Sequence, residues 1–108
     1  GNIKTPNLII EEGVTFDGPS FIDAGAHVKK GATIGPYTVL GRGVLVEEDA
    51  ELRETIVWPN SRIGESAVVD GPIVGRNCHI GRNAIVKGRS VLGDKTLLTD
   101  YTSVQAES

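Results

Sequence analysis

The sequence predicts an all-β solenoid in which short parallel strands coil around a thin core. Three observations predict it: an aliphatic or aromatic residue returns at about every sixth position, a small residue follows four positions later, and turn-forming residues lie between the two. A period of six fits neither a helix, at about 3.6 residues per turn, nor a long strand, at about two. Each repeating unit must therefore be one short strand and one turn.

The first residue of each unit, its leader, defines the inward side of the strand. The residue two positions before a leader points to the same side, so one large and one small side chain enter the core per unit. The leaders are Ile10, Phe16, Ile22, Val28, Ile34, Leu40, Val46, Leu52, Val57, Ile63, Val69, Val74, Ile80, Val86, Leu92, Leu98 and Val104. Residues that tolerate a positive φ angle lie three positions after many leaders, at Gly13, Gly25, Gly31, Gly43, Asp49, Asn60, Asn77 and Asn83.

Two units are one residue short, and together they fix the register of the coils. They are LRETI at 52–56 and VDGPI at 69–73, and their leaders Leu52 and Val69 are 17 residues apart. That distance is one coil of three units with a single deletion, so the two deletions stack at the same corner. The predicted coils are 10–27, 28–45, 46–62, 63–79 and 80–97, followed by an incomplete sixth. The solenoid therefore has about five and a half coils.

The chain has 108 residues, a length that suits one domain. We expect residues 1–9 to be an N-terminal lead-in and residues 10–108 to form the solenoid. The chain contains no methionine, so either an initiator was removed ahead of Gly1 or the chain is an excised piece that begins with an added glycine, and we favour the second interpretation.

One outer face of the predicted solenoid is apolar along its whole length. The residues just before the third leader of each coil point outward, and they are Phe21, Val39, Ile56, Ile73 and Val91. Neighbouring coils rise by about 4.8 Å, so these side chains form a stripe about 19 Å long. An exposed apolar stripe of this kind indicates an interface. The other two outward columns mix polar and apolar residues.

Trp58 follows Ile56 on the same strand and also points outward. Gly41 and Gly75 occupy its position in the two neighbouring coils and leave space for the indole. The indole either covers these glycine-walled coils or, with the stripe, belongs to an interface. The interface candidates, to be covered by another copy of the chain or by a further domain, are Phe21, Val39, Ile56, Trp58, Ile73 and Val91.

Composition restricts the partners and the compartment. The net charge is -3 with the two signs interspersed, which argues against a nucleic-acid partner. No apolar run has the length of a membrane span, which argues against a membrane partner. The single cysteine, Cys78, permits no internal disulfide, so we expect a cytoplasmic location.

Residues that could support catalysis or metal binding are isolated from one another. His27 and His79 share an outward column but lie three coils apart, about 14 Å, too far to bind one metal ion. Cys78 occupies an inward small-residue position, and the glycines follow the turns without forming a phosphate-binding loop. Arg76 and Arg82 are interpreted as solvent-facing. The sequence therefore predicts no catalytic, cofactor-binding or metal-binding residue.

Units such as IGPYTV, VGRNCH and IGRNAI resemble the hexapeptide repeat of left-handed parallel β-helix proteins. The resemblance implies a single-stranded left-handed parallel β-helix, and only the resemblance supplies the left hand, since the general rule for parallel crossovers is right-handed. Zinc carbonic anhydrases with this fold need three clustered histidines, which this chain lacks. Acyltransferases with this fold use a histidine base, a role open to His79, but the coils contain no inserted loop to wall a pocket.

The stretches ETIVWPNSRIGESAVVDGPIVGRNCHIG and SVLGDKTLLTDYTSV narrow the resemblance. They are similar to the C-terminal β-helix of sugar-phosphate nucleotidyltransferases, such as mannose-1-phosphate guanylyltransferase. That resemblance implies a parent enzyme that joins a sugar 1-phosphate to a nucleoside triphosphate with magnesium, in a separate N-terminal catalytic domain. The glycine-rich signature of that domain has no counterpart here. We therefore expect a non-catalytic assembly or regulatory domain that forms a homo-oligomer. A stand-alone acyltransferase using acyl-CoA and a structural scaffold subunit are the alternatives.

Overall fold

A computed structural model describes residues 7–105. The interpretation of Gly1, most of the lead-in at 1–9, and the last three residues of the 10–108 domain lie outside the described residues. Within residues 7–105 all regular structure is β-strand, and no helix there is long and apolar enough to cross a membrane.

The strands are short, as one strand and one turn per unit require. In chain order they are β1 Ile9–Ile10, β2 Thr15–Phe16, β3 Ser20–Ile22, β4 His27–Val28, β5 Thr33–Ile34, β6 Thr38–Leu40, β7 Leu45–Val46, β8 Glu51–Arg53, β9 Ile56–Val57, β10 Arg62–Ile63, β11 Val68–Asp70, β12 Ile73–Val74, β13 His79–Ile80, β14 Ile85–Lys87, β15 Val91–Leu92, β16 Leu97–Leu98 and β17 Ser103–Gln105.

Every third strand joins the same sheet, so the chain coils around three flat faces. The first sheet has the order β1-β4-β7-β10-β13-β16, the second β2-β5-β8-β11-β14-β17, and the third β3-β6-β9-β12-β15. All pairings are parallel. We call the turn from the second to the third sheet the second corner and the turn from the third to the first sheet the third corner. Six strands stacked about 4.8 Å apart make each of the first two sheets about 24 Å high along the solenoid axis.

The strand register confirms the three predicted inward columns. Leu52 pairs with Ile34 and Val69, and Val57 pairs with Leu40 and Val74, so both five-residue units stack at the second corner. Between Val28 and Val86 every leader is buried, with at most 1% of its surface exposed. Leaders in the first and last coils are only partly covered.

The core contains one aliphatic and one small side chain per unit, as predicted. The small side chains include Ala26, Ala32, Ala50, Ala67 and Ala84, all fully buried. A core this thin contacts only the coils directly above and below it, so each coil depends on its neighbours for burial.

The turns confirm the predicted positive φ angles and add several that residue type did not indicate. All eight predicted Gly, Asp and Asn positions have φ between 54° and 76°. Five further positions with side chains adopt the same conformation, and these are Tyr37, Glu54, Ser66, Lys95 and Tyr101. The stacked corners impose the left-handed conformation even on residues that disfavour it.

Candidate interaction surface

The apolar stripe lies on the outer face of the third sheet, in the predicted register. Phe21 pairs with Val39, Val39 with Ile56, Ile56 with Ile73, and Ile73 with Val91. Phe21 and Val91 are the most exposed, at 62% and 71%, and Val39 is half-buried. The structure brings these candidates together on one surface. Their burial by a partner stays a prediction.

Trp58 points outward at the end of β9, with 43% of its surface exposed. Backbone hydrogen bonds place Gly41 and Gly75 at its level in the adjacent coils, as predicted. Arg76 does not simply face solvent: its guanidinium carbon lies 5.0 Å from the centre of the indole ring. This cation–π contact holds the indole and a positive charge together at the third corner. The sequence missed it because residues 58 and 76 meet only when successive coils stack.

The two short units leave a recess at the second corner. Corners of normal length lie on either side of it, at Tyr37 in the second coil and Arg89 in the fifth. The recess has a volume of about 720 Å³, and its lining is Tyr37, Glu54, Ile56, Asp70, Gly71, Ile73, Gly88, Arg89, Ser90 and Val91. The deletions that fixed the register therefore also shape this recess.

The recess combines apolar walls with acidic groups. Ile56, Ile73 and Val91 of the stripe form one wall, and the carboxylates of Glu54 and Asp70 lie at the corner. Asp70 has a distant ion pair with Arg53, whose Nε lies 3.9 Å from its Oδ2. At that separation and exposure the pair neutralises little of the Asp70 charge.

The two histidines lie far apart in the first sheet. They lie three strands apart in the first sheet, and residues 7–105 contain no group of three or more potential metal ligands. His27 Nε2 is 2.5 Å from Glu11 Oε2, whereas no side-chain partner of His79 occurs in that part of the chain. Neither histidine lines the recess. The carboxylate-paired histidine is thus His27, not the one considered as an acyltransferase base.

Cys78 is a packed thiol, as its inward position predicted. It is 2% exposed, and its Sγ donates a hydrogen bond to the Gly93 carbonyl at 3.1 Å. Its backbone N–H donates to Ser61 Oγ, which itself donates to the Gly75 carbonyl. The cysteine therefore belongs to a buried hydrogen-bonded column and is closed to an attacking reagent.

A cluster of three charged side chains, Glu47, Lys29 and Arg62, stabilises the middle of the solenoid. Glu47 is 9% exposed, and its carboxylate lies 3.0 Å from Lys29 Nζ and 3.5 Å from an Arg62 guanidinium nitrogen. The hydrogen bond to Glu47 raises the pKa of Lys29. Two cations from adjacent coils thus compensate a nearly buried carboxylate, which is what burial of a charge requires.

Glu11 gives a pH-dependent contribution to stability. A hydrogen bond from His27, followed by one from the Lys30 backbone N–H, holds the pKa of Glu11 below its ordinary value of 4.5. A carboxyl with a depressed pKa stabilises the fold above its unfolded pKa, and that stabilisation is lost as the pH falls through the folded pKa. We expect Glu11→Gln to lower the urea midpoint at pH 7 and the deficit to shrink below about pH 4.5.

The neighbouring exposed Glu12→Gln is the matched control for this prediction. Urea unfolding of both variants, followed by circular dichroism between pH 3 and 7, measures the difference. A deficit for Glu11→Gln that stays constant over that range, or an equal deficit for Glu12→Gln, would contradict a stabilising hydrogen bond with His27.

Comparison with a solved structure agrees with this fold. The acetyltransferase domain of PglB from Neisseria gonorrhoeae, in complex with acetyl coenzyme A, superposes with a TM-score of 0.72 at 20% identity, over 94% of this chain and 56% of that one. The similarity confirms the predicted fold class, a left-handed parallel β-helix.

Two curated relatives show sequence similarity. A probable mannose-1-phosphate guanyltransferase of Schizosaccharomyces pombe is 36% identical over 91 residues, 82% of this chain and 22% of the relative. An acyl-[acyl-carrier-protein]--UDP-N-acetylglucosamine O-acyltransferase of Rickettsia bellii is 29% identical over 91 residues, 82% of this chain and 32% of the relative. The chain thus spans at most about a third of the length of these two relatives.

The family comparison decides between similarity to the guanyltransferase and similarity to the acyltransferase. The family model described as the GMPPB C-terminal domain matches residues 16–108. That range includes the stripe, Trp58 and both five-residue units. The chain belongs to the GMPPB C-terminal domain family.

Proposed function

We propose that this chain is the non-catalytic assembly and regulatory domain of a sugar-1-phosphate nucleotidyltransferase. The match of residues 16–108 to the GMPPB C-terminal domain is the observation that carries the proposal. In it, an N-terminal catalytic domain of the same polypeptide binds the nucleoside triphosphate and magnesium, and joins the nucleotide to the sugar phosphate. A cytoplasmic location and homo-oligomeric assembly are parts of the same proposal.

The described residues support a role in binding. Their two histidines are separated, their cysteine is buried, and the recess has apolar walls and two carboxylates. Nucleotidyl transfer requires groups that bind phosphates and a divalent cation. The recess instead provides an apolar patch with a polar edge, the composition of a protein interface.

The reading frame upstream of this chain gives the first test of the proposal. We expect it to encode a nucleotidyltransferase signature, and the complete gene product to release pyrophosphate from a nucleoside triphosphate and a sugar 1-phosphate. Removing residues 7–105 from that product is expected to lower the number of copies in its assembly, measured as the ratio of the mass in solution to the mass of one chain. A native gene of only about this length, without such a signature, would contradict the proposal.

The acyltransferase alternative is tested by calorimetry. Some relatives act as acyltransferases, so coenzyme A binding is the discriminating measurement. Titration of acetyl coenzyme A into the chain is expected to give no heat beyond dilution, because neither histidine lines the recess. Saturable binding that is lost in His79→Ala would favour the acyltransferase.

A further inference from the structure

The outer face of the third sheet has two different edges. All its strands run in the same direction, so they begin at the second corner and end at the third. The recess lies where these strands begin, and the Trp58–Arg76 pair projects where they end. The recess spans the short corners of the third and fourth coils, with Tyr37 of the second coil and Arg89 of the fifth at its rim, and the Trp58–Arg76 pair belongs to the third and fourth coils. One face therefore carries a projection and a recess at the same height, with the apolar stripe running between them.

We propose that this face binds a second copy of the chain in a parallel dimer whose two-fold axis runs along the apolar stripe. The inference rests on the proposed assembly function and specifies its partner and geometry. Rotation about an axis parallel to the solenoid keeps every coil at its own height and exchanges the two ends of each strand. The stripe then packs on its own copy. Trp58 of each chain faces the recess of the other.

Charges complement each other in this arrangement. Asp70 and Arg76 lie at the beginning and end of the strand segment around β12, so each faces its counterpart on the second copy. Arg89 and Asp94 have the same relation in the next coil, with the signs reversed. Within residues 7–105, neither Arg76 nor Arg89 forms an ion pair. Complementary rim charges of this kind fix the register of an interface.

The antiparallel alternative has the opposite electrostatics. A two-fold axis along the strands, through Ile56, also stacks the stripe on itself but reverses the order of the coils. Arg42 then faces Arg76, Glu54 faces its own copy, and Trp58 meets Trp58 outside the recess. Like charges placed opposite one another disfavour this geometry. The distribution of charges therefore selects the parallel dimer.

The size of the face sets the expected affinity. A stripe about 19 Å long, on a face about 15 Å wide, buries roughly 300–400 Å² per copy. The total is below the ~1,200 Å² of standard stable interfaces, so the chain alone is expected to dimerise only at micromolar or higher concentration.

Cysteine cross-linking tests the geometry. Phe21→Cys and Val91→Cys place thiols at the two ends of the stripe, in a Cys78→Ala background that removes the buried thiol. A bismaleimide that spans about 10 Å matches the separation of packed sheets. The parallel dimer is expected to cross-link Phe21→Cys to itself and Val91→Cys to itself, and circular dichroism checks that each variant is folded.

Each other outcome overturns the inference. Cross-linking of Phe21→Cys to Val91→Cys, in a mixture of the two but in neither alone, indicates the antiparallel arrangement. A dimer by sedimentation that forms none of these products uses another face, which leaves the proposed assembly function intact. A chain that stays monomeric at millimolar concentration also overturns the dimer, while the upstream reading frame still decides the proposed function.

Variants of the projection and the recess test the contacts themselves. We expect Trp58→Ala to weaken dimerisation by at least about a hundredfold, since two copies of one aromatic anchor are lost. Asp70→Arg and Arg76→Asp are each expected to weaken it by about tenfold, and their combination in one chain to restore it. Ile85→Ala, on another face, is the matched control and leaves the dissociation constant unchanged. If the combined charge reversal did not restore binding, Asp70 and Arg76 would not face each other across the interface, and the parallel geometry would be wrong.

Discussion

Ile80→Ala is expected to lower the free energy of unfolding by about 2–5 kcal/mol, the range for truncating a fully buried isoleucine. Ile80 has no exposed surface and packs in the core between Ile63 and Leu98 of the same column. The neighbouring coils cannot collapse into the cavity, because backbone hydrogen bonds to both sides fix their spacing. Thermal unfolding followed by circular dichroism is expected to show a midpoint lower by about 10 °C or more.

Ile85→Ala is the matched control, since it makes the same change in the next strand. Ile85 begins β14, points outward and is 39% exposed. Truncation there removes few contacts, and we expect a loss below about 1 kcal/mol. Equal losses at Ile80 and Ile85 would mean that the strand register, and with it the outward position of Trp58, is wrong.

Gly81→Ala is expected to destabilise the fold by about 1–3 kcal/mol, the usual effect of overpacking. A Cβ atom on Gly81 would lie 2.5 Å from the backbone nitrogen of Asp100 and 2.5 Å from the carbonyl carbon of Thr99. These are backbone atoms of the next coil, so they can move away only by straining the hydrogen bond from the Gly81 N–H to the Leu98 carbonyl. Urea unfolding at neutral pH measures the loss.

Gly93→Ala provides the control at the equivalent position of another unit. Each of the two glycines follows a leader, but in the described part of the chain a Cβ on Gly93 meets no heavy atom within 4 Å. Reduced freedom of the unfolded chain is then the main effect, and it stabilises by about 0.4–1 kcal/mol. If Gly93→Ala lost as much stability as Gly81→Ala, the loss would come from replacing glycine by alanine in the backbone itself. The clash with the next coil would then not explain the effect at Gly81.

Much of the fold could be predicted because the repeat imposes the same environment on every unit. A leader such as Val57 must be aliphatic and its partner Thr55 small, whatever the rest of the chain does, and the two five-residue units then admit only one register. The turns were harder to predict. Tyr37 and Glu54 adopt positive φ although their residue types disfavour it, because the coils above and below constrain the backbone at those corners.

The candidate surface could be predicted only in part. Periodicity placed the stripe and Trp58 on one face, since alternation along a strand is a local property. Contacts between coils were not accessible in this way: Arg76 over the indole and Glu11 beside His27 join residues about one coil apart, and their geometry depends on side-chain conformations.

The sequence by itself determined the solenoid, its register and the outward position of Trp58, because each depends on spacing along the chain. Only the tertiary structure decided that the two short units open a recess, that Arg76 stacks on Trp58, and that the two features occupy opposite edges of one face. Those relations depend on how far a corner projects and on which side chains meet across stacked coils. Spacing in one dimension does not contain that information.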